Sequence, residues 1–207
     1  MILPRLYPIL DSGILARRGI SIISAADQIL SAGAQILQFR HKGHVTRQTL
    51  TEMEAVAKLC REASIPFVVN DRADLAKMLD AALHLGQDDL PPDAARRVVG
   101  METLIGFSTH NEAQLRAAQQ EPVNYLALGP VFGTSSKENP DPVVGVKEFQ
   151  RLRPLTTRPL VAIGGITRAN AAEVLAAGAD SVAVIGDLFP EDGSIAARVR
   201  EWTSLIA

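Results

Sequence analysis

Cysteine is scarce in this 207-residue chain and long apolar runs are missing, and each absence excludes a class of protein. The single cysteine, Cys60, cannot form an intramolecular disulfide, which is consistent with a reducing compartment. Without a run of about 18 apolar residues, no transmembrane helix is predicted. Residues 1–10 lack the basic head and the apolar stretch of a signal peptide. We therefore expect a cytoplasmic protein.

The chain also lacks an excess of charge of either sign. Its 21 basic and 23 acidic residues give a net charge of -2, so neither nucleic acid nor an anionic membrane surface is expected as a partner. Apolar residues make up 47% of the chain and charged residues 21%, which is typical of a globular protein. The length fits a single domain covering residues 1–207 and leaves a homo-oligomer open.

Short apolar runs recur along the chain and predict buried parallel strands. They cover residues 6–10, 35–39, 66–70, 83–85, 104–107, 125–128, 160–163 and 181–185. The segments between them have helical apolar spacing, and two of these segments end in similar sequences, SAGA at 31–34 and AAGA at 176–179. The alternation fits a closed (β/α)₈ barrel or an open doubly wound sheet, and periodicity does not choose between them.

Charged residues follow three of the predicted strands. Arg40 and Lys42 follow the second, Asp71 the third, and Asp89 the fourth. The carboxyl ends of parallel strands carry the functional site, so two cations and two carboxylates are expected to meet there. Mg²⁺ with a bound pyrophosphate requires this combination of ligands and donors. Alternatively, the cations are solvated loop charges and Asp71 caps a helix.

The remaining strand ends carry hydroxyls, glycines and two histidines. Ser108 and His110 follow the fifth strand, and we consider His110 alone among the histidines for proton transfer. His84 is interpreted as a hydrogen-bonded interior residue. The polar connection at 133–142, GTSSKENPDP, is interpreted as an active-site loop bearing Lys137, and the glycines after strands seven and eight as a phosphate site.

Six of these strand-end segments occur in the order found in thiamine phosphate synthases, and the chain resembles that family over nearly its whole length. The segments are QFRHKG at 38–43, NDRAD at 70–74, HLGQDD at 84–89, GFSTH at 106–110, GPVFGTSSK at 129–137 and AIGGIT at 162–167. The resemblance implies a (β/α)₈ barrel enzyme, a transferase that joins hydroxymethylpyrimidine pyrophosphate to a thiazole phosphate, or to its carboxylated tautomer, with release of pyrophosphate.

The resemblance also implies a role for individual residues. The family's contacts to the pyrimidine pyrophosphate fall on Gln38, Phe39, Arg40, His41, Lys42, Asn70, Ser108 and Lys137, of which Arg40, Lys42 and Lys137 would act catalytically. Its contacts to the thiazole phosphate fall on Thr134, Ser135, Ser136, Gly165, Ile185 and Gly186. Its Mg²⁺ ligands fall on Asp71 and Asp89.

Three positions depart from the family pattern. Phe39 replaces a commoner aliphatic residue, Gly133 stands where proline is frequent, and Gly186 stands where serine is frequent. The change at Gly186 removes a hydroxyl from the implied phosphate site, so backbone donors would have to suffice there.

Two other functions are weighed against the synthase. A thiazole tautomerase of the same barrel family would need a base such as His110 and no metal, whereas Asp71, Asp89 and Lys137 favour the synthase. A non-catalytic phosphate-binding barrel would bind without turnover.

Overall fold

The computed structural model describes residues 2–134 and 141–207, and its strands close into a barrel. All eight strands are parallel and each is hydrogen-bonded to the next, with β8 returning to β1. The strands are β1 Leu6–Asp11, β2 Leu37–Arg40, β3 Phe67–Asn70, β4 Ala82–Leu85, β5 Ile105–Thr109, β6 Tyr125–Leu128, β7 Leu160–Ile163 and β8 Ser181–Val184. The predicted (β/α)₈ architecture is confirmed, and the open sheet is excluded.

Helices surround the barrel and connect successive strands. The α-helices among the described residues are α1 Ser12–Arg17, α2 Ile22–Ser31, α3 Arg47–Glu62, α4 Ala73–Met78, α5 Pro92–Val99, α6 Glu112–Ala117, α7 Val146–Leu152, α8 Ala171–Ala176 and α9 Ile195–Leu205. Several begin at a side-chain cap; Ser21, Thr46 and Ser194 each accept a hydrogen bond from the backbone N–H three residues on. No helix in these ranges is long and apolar enough to cross a bilayer.

The core has two layers because strand side chains alternate between the barrel interior and the helices. The outer layer is larger and includes Phe39, Cys60, Phe149 and Trp202. The inner layer fills the barrel with Tyr7, Ile9, Ile36, Val68, Tyr125, Ala127, Val161 and Ala183. Cys60 is therefore a buried core residue, as the sequence indicates, and its burial raises the pKa of the thiol to about 12.

The strand predictions are confirmed in number and order, with small differences in length. Strand β5 runs two residues further than predicted because Ser108 and Thr109 pair with Ala127 and Leu128 of β6. Strand β1 also runs one residue further, to Asp11. The repeated glycines Gly33 and Gly178 both have positive φ, at 94° and 100°, and each ends the turn after a helix.

Arginines close the opposite, amino-terminal end of the barrel. Arg96 donates to the carbonyl oxygens of residues 100, 101, 103 and 122, and Arg158 donates to those of residues 118, 119 and 121. Arg153 binds the carbonyl oxygens of Thr156 and Gly178. These guanidinium groups hold together the loops that lead into β5 to β8.

Candidate active site

Polar side chains converge at the carboxyl ends of the strands. Alternation along β2 points Gln38 and Arg40 to the barrel interior, and the same alternation points Asn70, His84 and Ser108 inward from β3, β4 and β5. The side chains that follow separate strands in the sequence therefore come together at the carboxyl-terminal opening of the barrel, which we call the mouth.

Lys42, Asp71 and Asp89 form a charged cluster at this mouth. The Nζ atom of Lys42 lies 2.6 Å from Oδ2 of Asp71, and the Asp89 carboxyl lies close enough to Asp71 to raise the pKa of that carboxyl. Asp89 is held in place because its Oδ2 accepts a hydrogen bond of 2.6 Å from the backbone N–H of Gly86. Two acidic residues from neighbouring loops thus lie near each other.

Burial and the nearby Asp89 carboxyl raise the pKa of Asp71 from 3.8 to about 6, although Lys42 acts in the opposite direction. The backbone of Asp71 has φ 68°, a left-handed conformation that aspartate tolerates better than most residues. Its N–H donates to the carbonyl oxygen of His84 at 2.8 Å, and helix α4 begins with no side-chain cap bond. Asp71 is therefore not a helix cap, and its carboxyl group faces the cluster.

Arg40 is paired with a carboxylate that the sequence analysis did not select. Asp11, at the end of β1, forms a salt bridge with Arg40 and accepts a hydrogen bond from the backbone N–H of Ile14 at 2.9 Å. Asp11 is only 5% exposed. The sequence signal was a carboxylate directly after an apolar run, the same signal that identified Asp71.

Asn70 carries an unsatisfied donor at the mouth. The residue is 8% exposed, and its buried Nδ2 has no hydrogen-bond partner among the described residues. Leaving a buried amide donor unpaired costs about 1–3 kcal/mol, so such a group is suited to a ligand that accepts the bond.

Gln38 and Ser108 lie at the two ends of a buried hydrogen-bonded chain. Gln38 Nε2 donates to the Tyr7 hydroxyl at 3.0 Å, and His84 Nε2 lies 2.9 Å from Ser108 Oγ. Burial lowers the pKa of His84 to about 4 and raises those of Tyr7 and Tyr125, so all three side chains are neutral near pH 7. The interpretation of His84 as a hydrogen-bonded interior residue is confirmed.

Phe39 and His41 are placed differently from their neighbours. The Phe39 side chain is 1% exposed and packs edge-on against Phe67 in the outer core, which leaves its backbone for any contact at the mouth. Nδ1 of His41 accepts a hydrogen bond from Ser12 Oγ at 2.7 Å, and its Nε2–H donates to the His44 carbonyl oxygen at 3.1 Å. Both ring nitrogens of His41 are thus occupied.

The glycine-lined part of the mouth is formed by the ends of β6, β7 and β8. At Gly165, with φ 64°, a Cβ atom would lie 2.4 Å from the carbonyl oxygen of Gly133, so only glycine allows this close approach of the two loops. At Gly186, after β8, a Cβ would meet nothing within 4 Å among the described atoms. Ile185 precedes Gly186, and Thr134 ends the first described range; Ser135, Ser136 and Lys137 lie outside the described residues.

His110 is engaged at the edge of the mouth. Its Nδ1–H donates to the carbonyl oxygen of Gly129 at 2.6 Å, and its Nε2 lies 3.5 Å from Oδ2 of Asp141. The helix that follows is capped by Asn111, whose side chain accepts from the N–H of Gln114 at 3.0 Å. The hydroxyls before it are therefore not needed as caps.

No group of three or more His, Cys, Asp or Glu side chains suited to a metal occurs within residues 2–134 and 141–207. A cation bound by Asp71 and Asp89 would therefore need further oxygen ligands from water or from a substrate, an arrangement that Mg²⁺ commonly adopts.

Comparison with known proteins gives consistent matches. The family model described as thiamine monophosphate synthase matches residues 6–188. A thiamine-phosphate synthase of Koribacter versatilis is 46% identical over 90% of this chain and 89% of its own length, and one of Chloroflexus aurantiacus is 37% identical over 98% and 93%. The solved thiamine phosphate pyrophosphorylase of Pyrococcus furiosus superposes with a TM-score of 0.85 at 29% identity, covering 98% of this chain and 95% of that one.

Proposed function

The chain belongs to the thiamine monophosphate synthase family, and from this premise we propose that it condenses an aminopyrimidine pyrophosphate with a thiazole phosphate. The products are thiamine phosphate and pyrophosphate. The observation that carries the proposal is the ion pair of Lys42 with Asp71, with Asp89 nearby, at the barrel end where such enzymes bind their substrates.

The two carboxyl groups fit a divalent cation. Without the ion, burial and the Asp89 carboxyl raise the pKa of Asp71, and the Lys42 ammonium offsets part of this effect. We assign Asp71 and Asp89 as the residues that would hold Mg²⁺. When bound, the ion would supply positive charge to the oxygens of the departing pyrophosphate.

The pyrimidine pyrophosphate would lie along the ends of β2 to β5. Arg40 and Lys42 are the cations next to the carboxylates, and Lys42 is 54% exposed and able to exchange Asp71 for a phosphate oxygen. Asn70 contributes the unpaired amide described above, and Gln38 and Ser108 contribute an amide and a hydroxyl. We also place His41 and the backbone of Phe39 beside this substrate, and Lys137 over it.

The thiazole phosphate would occupy the glycine-lined part of the mouth. We assign its contacts to Thr134, Ser135, Ser136, Gly165, Ile185 and Gly186, where small residues let backbone N–H groups approach a phosphate. The open space at Gly186 and the close packing at Gly165 support a shallow site shaped by the backbone.

The reaction needs little from the protein beyond charge and position. The bond between the methylene carbon and the pyrophosphate oxygen breaks with its electron pair leaving on pyrophosphate, and the thiazole nitrogen then donates its lone pair to form the new C–N bond. Arg40, Lys42 and Lys137 would stabilise the charge that grows on the leaving group. A general base is not required.

A thiazole tautomerase is the second candidate because of the shared barrel family. Its base would be His110, but that ring already donates to the Gly129 carbonyl and faces Asp141. The paired carboxyls of Asp71 and Asp89 have no part in such a proton shift. We therefore rank the synthase first.

The deciding experiment is an assay of the purified protein with both substrates and Mg²⁺, in which pyrophosphate release is followed. Release that requires both substrates and stops with a chelator is expected. Proton exchange on the thiazole without pyrophosphate release would favour the tautomerase, and binding without either reaction would favour a non-catalytic barrel.

We also propose a cytoplasmic location and a homo-oligomer. Cell fractionation tests the location, and light scattering tests the oligomeric state.

A further inference from the structure

A continuous chain of five polar side chains crosses the barrel interior beneath the proposed site. Gln38 Nε2 lies 3.0 Å from the Tyr7 hydroxyl, which lies 2.7 Å from the Tyr125 hydroxyl. The Tyr125 hydroxyl lies 3.0 Å from Nδ1 of His84, and Nε2 of His84 lies 2.9 Å from Ser108 Oγ. The five residues come from five different strands, and both ends of the chain reach the mouth.

The barrel is built to accommodate this chain. A Cβ atom at Gly106 would lie 2.0 Å from Cζ of Tyr125, so the glycine makes room for the tyrosine ring inside the barrel. The Tyr125 ring stacks on His84 at a centroid distance of 5.6 Å and meets Tyr7 edge-on at 6.0 Å. Each ring is thereby fixed in orientation as well as in position.

Every hydroxyl proton of the chain finds an acceptor within it when all of its hydrogen bonds run in one direction. Because Gln38 Nε2 donates to the Tyr7 oxygen, the Tyr7 proton is directed to Tyr125, and the Tyr125 proton is directed to Nδ1 of His84. A neutral imidazole that accepts at Nδ1 carries its proton on Nε2. His84 Nε2–H therefore donates to Ser108 Oγ.

This direction determines what the two terminal side chains offer to a ligand. One N–H of the Gln38 amide donates to Tyr7, which sets the orientation of the amide and leaves its Oε1 as an acceptor. Ser108 Oγ accepts from His84, which leaves its hydroxyl proton as a donor. A reversal would require the Gln38 amide to turn over and the proton of His84 to move to Nδ1.

We propose that Tyr7, Tyr125 and His84 are positioning residues that set the hydrogen-bond direction of Gln38 and Ser108. Gln38 then accepts an N–H from the amino group of the pyrimidine, and Ser108 donates to an oxygen of the pyrophosphate. The inference rests on the proposed function and adds to it a basis for selecting an aminopyrimidine over an oxopyrimidine, whose oxygen cannot donate to Gln38.

The first test measures the histidine tautomer directly. Nitrogen-15 NMR of the full chain with labelled histidine, assigned by the signal lost in His84→Gln, should show the His84 proton on Nε2. A proton on Nδ1 would overturn the proposed direction. This measurement uses the wild-type protein and does not depend on the stability of any variant.

The second test compares two variants that each lose one buried hydroxyl. Tyr7→Phe interrupts the chain, whereas Thr109→Val removes a buried hydroxyl that donates to the Ala127 carbonyl at 2.9 Å on the outer side of β5. The readout is the ratio of inhibition constants for the 4-oxo and 4-amino forms of the hydroxymethylpyrimidine phosphate. Tyr7→Phe should lower this ratio about tenfold, equivalent to about 1.4 kcal/mol, with an unchanged KM for the thiazole phosphate.

Thr109→Val should leave the ratio at the wild-type value even if it lowers thermal stability. An unchanged ratio in folded Tyr7→Phe, or an equal fall in both variants, would refute the positioning role. Tyr125→Phe provides the same comparison if Tyr7→Phe does not fold. Absence of pyrophosphate release by the wild type would instead refute the proposed function, so the two failures are distinguishable.

Discussion

The two ends of the barrel use basic side chains in opposite ways. At the amino-terminal end, Arg96, Arg153 and Arg158 donate mainly to backbone carbonyl oxygens, which cannot be exchanged without opening a loop. At the carboxyl-terminal end, Arg40 and Lys42 face the carboxylates of Asp11 and Asp71. Carboxylates can release a cation to a substrate, so this end can rearrange around a ligand without unfolding.

The comparison indicates where stability and activity are located. Arg96 is 8% exposed and satisfies four carbonyl oxygens as well as the Asn124 side chain, so its loss should affect folding. Lys42 is 54% exposed and contacts one carboxylate. Its loss should therefore affect activity more than folding.

The carboxylates of the mouth should be essential for turnover and dispensable for folding. Asp71→Asn and Asp89→Asn should each lower kcat by about 100-fold or more, because each removes a proposed ligand of Mg²⁺. Asparagine tolerates the left-handed backbone of Asp71, so the unfolding midpoint should change little. Steady-state kinetics and thermal unfolding check the two parts.

The matched controls for these variants are neighbouring exposed carboxylates. Asp74→Asn and Asp88→Asn should retain near-normal rates, since both residues are exposed. Normal turnover in both Asp71→Asn and Asp89→Asn would remove the metal assignment.

The arginine at the opposite end should behave in the reverse manner. Arg96→Ala should lower the free energy of unfolding by about 2–4 kcal/mol, because several buried carbonyl oxygens lose a charged donor. Its kcat should be unchanged at temperatures where the variant is folded. Urea titration gives the stability, and Arg97→Ala, on a 75% exposed neighbour, is the control. A loss of activity without a loss of stability would contradict the division.

Lys137 should act on the leaving group. Lys137→Ala should lower kcat by roughly tenfold or more, because the variant lacks the cation proposed to stabilise the departing pyrophosphate, whereas the KM for the thiazole phosphate should be unchanged. Lys58→Ala, on a 72% exposed helical lysine, should have no effect. A selective rise in the thiazole KM with an unchanged kcat would refute this role.

In the metal-free protein, ionisation of Asp71 should lower the free energy of unfolding as the pH rises through about 6. The pKa of Asp71 is raised from 3.8 to about 6, so the folded state holds this proton more tightly than the unfolded state. The stabilisation is fully present below about pH 4 and is lost as the pH rises through 6. Relative to Asp71→Asn, the free energy of unfolding of the metal-free wild type should fall by about 1–2 kcal/mol over this pH range. Chemical denaturation of both proteins at pH 4 to 7.5 measures the difference. The same dependence of the free energy of unfolding on pH in both proteins would contradict the prediction.

The smallest effect is expected at the glycine-lined part of the mouth. Gly186→Ser should lower the KM for the thiazole phosphate about fivefold, because the open space accommodates a hydroxyl worth about 1 kcal/mol. Gly165→Ser is the contrasting variant and should destabilise the protein, since its Cβ would collide with the Gly133 carbonyl oxygen. An unchanged or higher KM in Gly186→Ser would show that backbone donors already satisfy the phosphate.

The sequence by itself determined the order and number of the strands, because each buried strand needs a short apolar run and each joint needs turn residues. It also placed Arg40, Lys42, Asp71 and Asp89 at strand ends, which parallel topology brings to one side. The family resemblance then selected the barrel, since periodicity alone permits an open sheet as well.

Only the tertiary structure decided which of these groups touch. The pairing of Arg40 with Asp11, and the chain from Gln38 through Tyr7, Tyr125 and His84 to Ser108, join residues from strands far apart in the sequence. Such contacts depend on the closure of the barrel and on the register of its strands. The sequence supplied the chemical groups, and barrel closure set the distances between them and the hydrogen bonds that they form.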